Sequence, residues 1–347
     1  MIIVGLTSGL GNQMFEYDIY LALKERRSDV KLTDYWFTHN LKKHSVAHEK
    51  RNLLPEIFNL NKAEYAGDAD VEKVADVDRG FFSRMRREKL KLYKKTHVNI
   101  YDLEHCNHIY EESSFLPWVK CRLIPSAIRR FRRSVLGSCP SEPVEYQREL
   151  IEKQLDEIAS MKDAYLTGYW LNYDYIKPIE DKVRSEFTFK NPLDDKNRAI
   201  AQQMADELSV SVHIRRGDML GTKVCETEHS MDYFVRAMSY FTDRFGIENV
   251  HFYCFSDDIP WCREHFKAGK ITFVDWNTGD DSWRDMQLMS LCKHNIITNS
   301  TFSTWGAWLN TNPSKTVIRP HYYFNGGVEK PFPDEWIVME NFQRTKG

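Results

Sequence analysis

The chain lacks any apolar run approaching the roughly 20 residues that a helix needs to cross a bilayer. Its opening residues, Met1–Leu6, are short and β-like, and neither a basic segment nor a small-residue cleavage site accompanies them. Neither a membrane-spanning nor a secreted protein is indicated. We therefore expect a cytoplasmic location.

Cysteine pairs are missing as well. The seven cysteines are odd in number, and no two of them have the Cys-x-x-Cys spacing. This pattern indicates neither the disulfide framework of a secreted domain nor a structural zinc site. We expect reduced and mostly buried thiols.

The chain also has no large excess of charge of either sign. Lysine and arginine number 48 against 50 aspartates and glutamates, for a formal net charge of −2. A nucleic-acid-binding domain usually carries a marked basic excess, so we expect no nucleic-acid partner. Any anion-binding site must come from local clustering of basic residues.

Short β-type runs alternate with helical stretches, which favours an α/β fold with parallel sheets. The alternation breaks between about Ser185 and Lys196, so we predict domains of residues 1–190 and 191–347. The predicted strands are Met1–Leu6, Tyr165–Leu171, Val210–Ile214, Val250–Phe255, Ile271–Val274, Asn295–Thr298 and Thr316–Arg319. The predicted helices include Asn12–Arg26, Asp194–Leu208 and Met286–Cys292.

One of these strands ends abruptly in charge. Val210–Ile214 is followed by Arg215 and Arg216, and then by Asp218. A guanidinium presents a planar fork of donors that matches phosphate oxygens, and strand ends of α/β folds commonly hold ligands. Taken alone, the segment fits a diphosphate site and a solvated turn with surface arginines equally well.

Three further segments carry a family resemblance. They are Gly9–Tyr17, which begins GLGNQMF, the tripeptide SDD at Ser256–Asp258, and Asn299–Leu309, which reads NSTFSTWGAWL. Together with the HIRRGD segment they resemble the α-1,2-fucosyltransferases of glycosyltransferase family 11. The resemblance runs from Met1 to about Leu309, and it is loose in the middle third.

The resemblance implies a GT-B fold, in which two Rossmann-like domains enclose a cleft. The N-terminal domain, with the GLGNQ loop, would face the acceptor, and the C-terminal domain would bind GDP-fucose. The implied reaction is inverting transfer of L-fucose from GDP-β-L-fucose to the 2-hydroxyl of a terminal galactose, in bacterial surface-glycan or O-antigen synthesis. Alternatives are another acceptor or another regiochemistry.

The resemblance also implies residue roles. Arg215 and Arg216 would hold the diphosphate, His213 would lie at the ribose, and Asp285 would pair with guanine. Gly9, Gly11 and Asn12 would face the diphosphate and the reacting sugar, with Asn12, Arg215 and Asp218 as the catalytic set. Ser256, Asp257, Asn299, Ser300 and Thr301 complete the expected donor site. Thr304 departs from the family, which usually has tryptophan at this position. The resemblance therefore does not determine the local shape of the pocket.

The catalytic base remains open at this stage. Asp218 is interpreted either as that base or as a partner that orients the arginines. Glu16, Asp18 and Asp257 are further candidates. The SDD tripeptide has a purely structural alternative, an aspartate capping the helix that starts near Ile259.

We expect no metal cofactor. The letters of a DxD motif occur only at Asp68–Asp70 and Asp76–Asp78, in an unremarkable acidic stretch. The resemblance implies that arginines take the place of a cation.

Two locally basic segments, residues 84–95 and 122–133, include apolar residues between the charges. Such helices can rest on anionic lipid, so we predict a peripheral contact with the inner face of the membrane. A solvated helix face is the alternative.

Two other function classes deserve weight. Gly5–Gly11 with Tyr173 and Lys177 fits the glycine turn and YxxxK of short-chain dehydrogenases, but Pro178 interrupts the helix that those enzymes need. A sugar-binding protein without catalysis is the other class. It would be expected to lose the arginine pair, which is present.

Overall fold

The computed structural model describes residues 1–38, 52–75, 108–111, 144–217, 231–267, 269–321 and 331–340. These ranges form two sheets flanked by helices, one sheet on either side of the predicted domain boundary. The α/β architecture with two Rossmann-like halves, which is that of the GT-B type, is confirmed. The exact boundary near residue 190 stays a prediction.

The N-terminal sheet has four strands in the order β2-β1-β4-β3. They are β1 (Ile2–Gly5), β2 (Val30–Thr33), β3 (His108–Glu111) and β4 (Ala164–Thr167). β1 pairs in parallel with both β2 and β4, whereas β3 adds an antiparallel edge. Every residue of β1 is buried, as expected for a parallel strand covered on both faces.

The helices of this half are α1 (Leu10–Lys24), α2 (Tyr35–Thr38), α3 (Leu54–Ile57), α4 (Asp68–Ala75), α5 (Val144–Ser160) and α6 (Glu180–Glu186). α1 connects β1 to β2 and is buried around almost its whole circumference. A helix of this kind belongs to the interior rather than to a surface layer.

The C-terminal sheet has six strands, all paired in parallel, in the order β10-β9-β8-β5-β6-β7. The strands are β5 (Leu208–Ile214), β6 (Val250–Ser256), β7 (Lys270–Val274), β8 (His294–Ile296), β9 (Val317–Pro320) and β10 (Ile337–Met339). The helices are α7 (Asp195–Asp206), α8 (Met231–Phe245), α9 (Ile259–His265), α10 (Arg284–Met289) and α11 (Thr301–Leu309).

This strand order contains a topological switch point. From β5 the chain adds β6 and β7 on one side, and then returns to add β8, β9 and β10 on the other. In open α/β sheets a ligand crevice forms at such a point, outside the carboxyl ends of the two strands that flank it. Here those strands are β5 and β8.

The two halves share an apolar core. The indole of Trp305 on α11 lies 4.9 Å from the ring of Phe15 on α1, between ring centroids, and 5.2 Å from that of Phe187. Buried residues of both sheets belong to one continuous cluster. α1 and α11 therefore form the joint between the halves.

Several predicted boundaries were wrong by a few residues. α1 begins at Leu10 rather than Asn12, and α10 spans Arg284–Met289 rather than Met286–Cys292. β4 ends at Thr167 because Gly168 and then Trp170 adopt positive φ angles of 122° and 51°, which a strand cannot contain. Within the described ranges, no helix has the length and apolarity needed to cross a membrane.

Candidate active site at the strand switch point

The segments singled out in the C-terminal half lie at the switch point. β5 ends at Ile214 and leads directly into Arg215 and Arg216. β8 ends at Ile296 and leads, through Asn299 and Ser300, into α11. The arginines and the NSTF segment therefore flank the crevice that the strand order creates.

The arginine loop rests on Asp257, which follows β6. The Asp257 carboxylate accepts the backbone N–H of Arg216 at 2.8 Å and that of Gly217 at 3.0 Å. It also forms an ion pair with Nε of Arg215 at 3.3 Å. One carboxylate thus binds three consecutive residues of the loop.

Arg216 is anchored differently from Arg215. Its Nε lies 3.1 Å from Asp258 Oδ2, and its Cζ lies 3.8 Å from the centroid of the Trp261 ring. Asp258 also accepts the N–H of Trp261 at 3.2 Å and so caps α9, which confirms the helix-cap alternative for this tripeptide. Ser256 Oγ accepts the Asp258 N–H at 3.0 Å.

Trp261 and Gly217 have roles that the sequence interpretation missed. The available signal was the run Asp258-Ile-Pro-Trp261, because an aspartate followed by proline at an early helical position marks a helix start and places the third residue beside the cap. Gly217 lay inside the arginine motif but carried no assigned role. A Cβ atom on it would lie 2.7 Å from Asp257 Oδ2, so any other residue would require the Asp257 carboxylate to shift.

His213 lies on β5 and is 6% exposed. Its ring centroid is 5.8 Å from that of Phe302, in the first turn of α11. The imidazole therefore lies between β5 and α11, next to the crevice. Its assignment to the ribose stays a prediction.

The GLGNQ loop packs against the start of α11. A Cβ atom on Gly11 would lie 2.6 Å from the backbone N of Phe302, and the Gly11 carbonyl accepts the indole N–H of Trp305 at 3.0 Å. Asn12 Oδ1 accepts the Thr301 hydroxyl at 2.8 Å. The close approach that Gly11 permits is therefore to the other half of the protein. The predicted approach of Gly9 and Gly11 to a ligand stays a prediction.

Gly9 and Ser8 shape the turn that leads into α1. The Gly9 carbonyl accepts the N–H groups of Asn12 and Gln13 at 3.0 and 3.1 Å. Ser8 has a φ of 63°, unusual for a residue with a side chain, and its hydroxyl accepts Asn12 Nδ2 at 3.1 Å. The turn brings the N-terminus of α1 beside that of α11.

The first turn of α11 has few side-chain caps. Ser300 precedes the helix without a side-chain capping bond, and Asn299 is almost completely buried. The Thr304 hydroxyl donates to the Ser300 carbonyl at 3.0 Å, within its own helix. The substitution of the family's tryptophan by Thr304 is thus accommodated by α11 itself.

The N-termini of α1 and α11 lie close together. Two neighbouring helix N-termini favour a bound anion through their N–H groups and dipoles.

Asp285 lies in the first turn of α10 and is half-buried. Its Oδ1 accepts the Asn277 amide at 2.9 Å, and Asn277 in turn bonds to Asn197. Burial raises the pKa of Asp285 to about 7, although the hydrogen bond from Asn277 opposes the shift. The carboxyl group therefore titrates near neutral pH. Its pairing with guanine stays a prediction.

Two candidate bases lie inside the core. Glu16 and Asp18 on α1 are 0% and 1% exposed, and burial raises the pKa of both. Glu16 accepts the backbone N–H of Thr7 at 2.6 Å as well as the Thr7 hydroxyl. Neither carboxyl reaches the surface, so both are wrong as bases for a bound acceptor.

Several other predictions lie outside the described residues. These are Asp218, the pair Asp76–Asp78, and the basic segments 84–95 and 122–133. Asp68–Asp70 forms the first turn of α4, where Asp70 pairs with Lys31 at 3.0 Å. That aspartate serves as a surface ion pair at the edge of the N-terminal sheet.

The dehydrogenase alternative fails on local geometry. Tyr173 and Lys177 lie in two separate 3₁₀ turns, Tyr173–Tyr175 and Lys177–Ile179, rather than on one face of a helix. The Tyr173 hydroxyl donates to Glu180 at 3.1 Å. Tyrosine and lysine are therefore not aligned as that chemistry requires.

Comparison with known proteins agrees with the resemblance. Residues 143–340 match the family described as Glycosyl transferase family 11. The chain is 32% identical over 357 residues to an alpha-1,2-colitosyltransferase of Escherichia coli, covering 98% of this chain and 99% of the relative.

Two further relatives match part of the chain in sequence, and one solved structure aligns with most of it. The O-antigen biosynthesis glycosyltransferase WbnK of E. coli is 38% identical, over 38% of this chain and 44% of its own. The galactoside alpha-(1,2)-fucosyltransferase 1 of Leontocebus fuscicollis is 29% identical, over 44% and 46%. The crystal structure of NodZ alpha-1,6-fucosyltransferase soaked with GDP-fucose aligns at a TM-score of 0.45 and 12% identity, covering 89% of this chain and 91% of that one. Because the family match covers more than half of the chain and the colitosyltransferase aligns with nearly all of it, the protein is a glycosyltransferase and belongs to glycosyltransferase family 11.

Proposed function

We propose that the protein transfers L-fucose from GDP-β-L-fucose to the 2-hydroxyl of a terminal galactose, with inversion and without a bound metal. The observation that carries the proposal is the placement of Arg215 and Arg216 at the carboxyl end of β5, next in the sheet to β8, which leads into α11. Both the colitosyltransferase and the primate fucosyltransferase are named for an α-1,2 linkage, which supports the regiochemistry.

The electrostatic demand of the reaction matches this corner of the protein. When the bond between fucose C1 and the phosphate oxygen breaks, negative charge grows on the departing GDP. Arginine guanidinium groups and helix N-termini aimed at that charge lower the barrier, because they stabilise the transition state more than the ground state. Arg215 and α11 supply both kinds of group.

The acceptor chemistry requires a base. The galactose 2-hydroxyl oxygen attacks C1 from the face opposite the leaving group and gives up its proton to that base. Asp257 is occupied by two backbone N–H groups and Arg215, and Glu16 and Asp18 are buried. Of the candidates named, Asp218 remains the proposed base.

Donor recognition is assigned to the rest of the crevice. Asp285, as a carboxylate, would accept N1–H and the exocyclic amine of guanine, which adenine cannot offer. His213 would lie at the ribose, and Asn12, Ser300 and Thr301 would lie near the diphosphate and the reacting sugar.

A second candidate is transfer of colitose, favoured by the relative that aligns along nearly the whole chain. Colitose is fucose without its 3-hydroxyl, so the two donors differ by a single group. A site that hydrogen-bonds the 3-hydroxyl rejects the deoxy sugar strongly, whereas an apolar site there discriminates weakly. The ratio of kcat/KM for the two donors separates the candidates.

The testing experiment is transfer by the purified protein in the presence of a chelator. GDP-fucose and GDP-colitose are each offered with lactose and both N-acetyllactosamine isomers, and the linkage is determined by NMR. An α-1,2-fucosylated product is the expected result. Exclusive colitosyl transfer would select the second candidate, and failure to bind GDP in calorimetry would contradict both.

A further inference from the structure

We infer that Asp257 is a positioning residue, which fixes the backbone of Arg215–Gly217 so that the loop is preorganised for a diphosphate. The inference rests on the proposed function, and it assigns to Asp257 a role other than base or ribose ligand. It concerns the shape of the anion site rather than contact with the reacting atoms.

The first support is that both carboxylate oxygens are used. Oδ1 accepts the Arg216 N–H at 2.8 Å, and Oδ2 accepts the Gly217 N–H at 3.0 Å while lying 3.3 Å from Arg215 Nε. Adjacent N–H groups bound by one carboxylate fix the peptide between them. A charged acceptor makes each of these bonds stronger than a neutral one would.

The second support is steric. Gly217 lies so close to the carboxylate that a Cβ atom would approach Oδ2 to 2.7 Å. Its φ is not in the left-handed region, so backbone freedom does not explain the glycine. The close contact with Asp257 explains the glycine, so Gly217 and Asp257 together determine the conformation of the loop.

The third support is the contrast with the neighbouring aspartate. Asp258 caps α9 through Trp261 and pairs with Arg216, so its contacts join the loop to a helix. In the described residues, Asp257 makes no such cap, and its two backbone hydrogen bonds and its ion pair are all with the loop. A carboxylate whose contacts are all with the loop stabilises the conformation of that loop.

The inference is tested by comparing ligands with and without phosphates. Dissociation constants of GDP, guanosine and inorganic pyrophosphate are measured by calorimetry for the wild type, Asp257→Asn, Asp257→Glu and Gly217→Ala. Asp29→Asn is the matched control, because Asp29 pairs with Arg27 at 2.6 Å near the start of β2, away from the crevice. Thermal unfolding of each variant accompanies the binding data.

We expect Asp257→Asn and Gly217→Ala to weaken the binding of GDP by at least about tenfold, which corresponds to the loss of one charge-assisted hydrogen bond. The dissociation constant of guanosine should stay at the wild-type value. A general structural defect would weaken both ligands together. Asp257→Glu should restore only part of the loss, because its longer side chain cannot bind both N–H groups in the same geometry. Asp29→Asn should leave the ratio of the two constants unchanged.

The outcomes separate the two claims. If the wild type binds GDP and both Asp257→Asn and Gly217→Ala keep its preference over guanosine, the positioning role is overturned and the proposed function stands. If the wild type binds pyrophosphate but not GDP, the proposed donor fails, and loss of pyrophosphate binding in Asp257→Asn still supports the positioning role. If it binds neither, both claims are overturned. If Asp257→Asn does not fold, Gly217→Ala and Asp257→Glu decide the question.

Discussion

The carboxyl ends of the two sheets are built from the same strand–loop–helix arrangement but from different chemistry. In the N-terminal half, Thr7 bonds to the buried Glu16, and Asn12 bonds to Ser8 and across the joint to Thr301. In the C-terminal half, the corresponding loop is an arginine pair held by two aspartates, partly open to solvent. The N-terminal edge uses internal polar bonds that organise the joint, whereas the C-terminal edge concentrates charge where an anion can reach it.

The difference shows how one topology serves two purposes. A parallel sheet places loops at a common edge in both halves, and both strand orders reverse, between β1 and β4 in one sheet and between β5 and β8 in the other. In the described residues the arginine pair lies at the second of these points. The N-terminal edge meets the other half directly, through Gly11 and α11.

The largest effect is expected from Arg215→Ala. Loss of a guanidinium aimed at the leaving diphosphate should lower kcat by about 100-fold or more, as removal of one transition-state donor does. Thermal unfolding should change little, because the Arg215 ion pair is partly exposed. Arg236→Ala is the control, since Arg236 pairs with Asp232 on the exposed side of α8. Wild-type turnover in Arg215→Ala would show that the charged edge is not the donor site.

Gly11→Ala tests the joint. The added methyl group would lie 2.6 Å from the backbone of α11, so we expect destabilisation of about 1–3 kcal/mol, typical of overpacking in a core. Gly67→Ala is a matched control, because nothing lies within 4 Å of its added Cβ. The measurement is denaturant unfolding of both variants. Equal stability of the two would contradict a packed joint at Gly11.

The pH dependence of GDP binding tests Asp285. Because its pKa is raised to about 7, the carboxylate that pairs with guanine is scarce at pH 6 and prevalent at pH 8. We expect GDP to bind about tenfold more tightly at pH 8 than at pH 6, since each pH unit below the pKa lowers the ionised fraction about tenfold. Asp285→Asn should flatten this profile.

The same group has an opposite effect on folding. A carboxyl group whose pKa is raised in the folded state stabilises the fold most when the pH lies below the pKa of the same group in the unfolded chain. That stabilisation is lost as the pH rises from about 4 through 7. The Asp285→Asn variant should therefore lose less stability than the wild type over this window. A wild-type slope in the variant would exclude Asp285 as the titrating group.

The smallest effect is expected from Thr7→Val. This change removes the hydroxyl that donates to buried Glu16, and we expect it to cost about 1–2 kcal/mol of folding free energy. Thr7→Ser keeps the donor and should retain most of the stability. GDP affinity should be unchanged in both, because the bond belongs to the N-terminal edge. Loss of GDP affinity in Thr7→Val alone would show that the two edges act as one site.

Much of this architecture is accessible from local sequence patterns. The apolar run Val210–Ile214 followed by arginines predicts a strand end with charge, because both features depend on adjacent residues. The strand order depends on pairings between distant segments, such as that of Ile2 with Ala164, and periodicity carries no information on them. The short edge strands β2, β3 and β10 were missed because they form by pairing with β1, β4 and β9.

Side-chain partners are harder to predict than positions. The glycine at position 11 indicates a close approach, but the sequence does not say whether a ligand or Phe302 lies opposite. Asp257 and Asp258 are adjacent and chemically identical, yet one supports the loop and the other caps α9. Asp218, the basic segments and metal independence stay predictions.

We propose that the crevice between β5 and β8 holds the diphosphate of a GDP-sugar. A crystal structure of the protein with GDP tests it most directly. We predict the β-phosphate within hydrogen-bonding distance of Arg215 and the N-terminus of α11, with guanine at Asp285. GDP bound elsewhere, with the arginine loop uninvolved, would contradict the account.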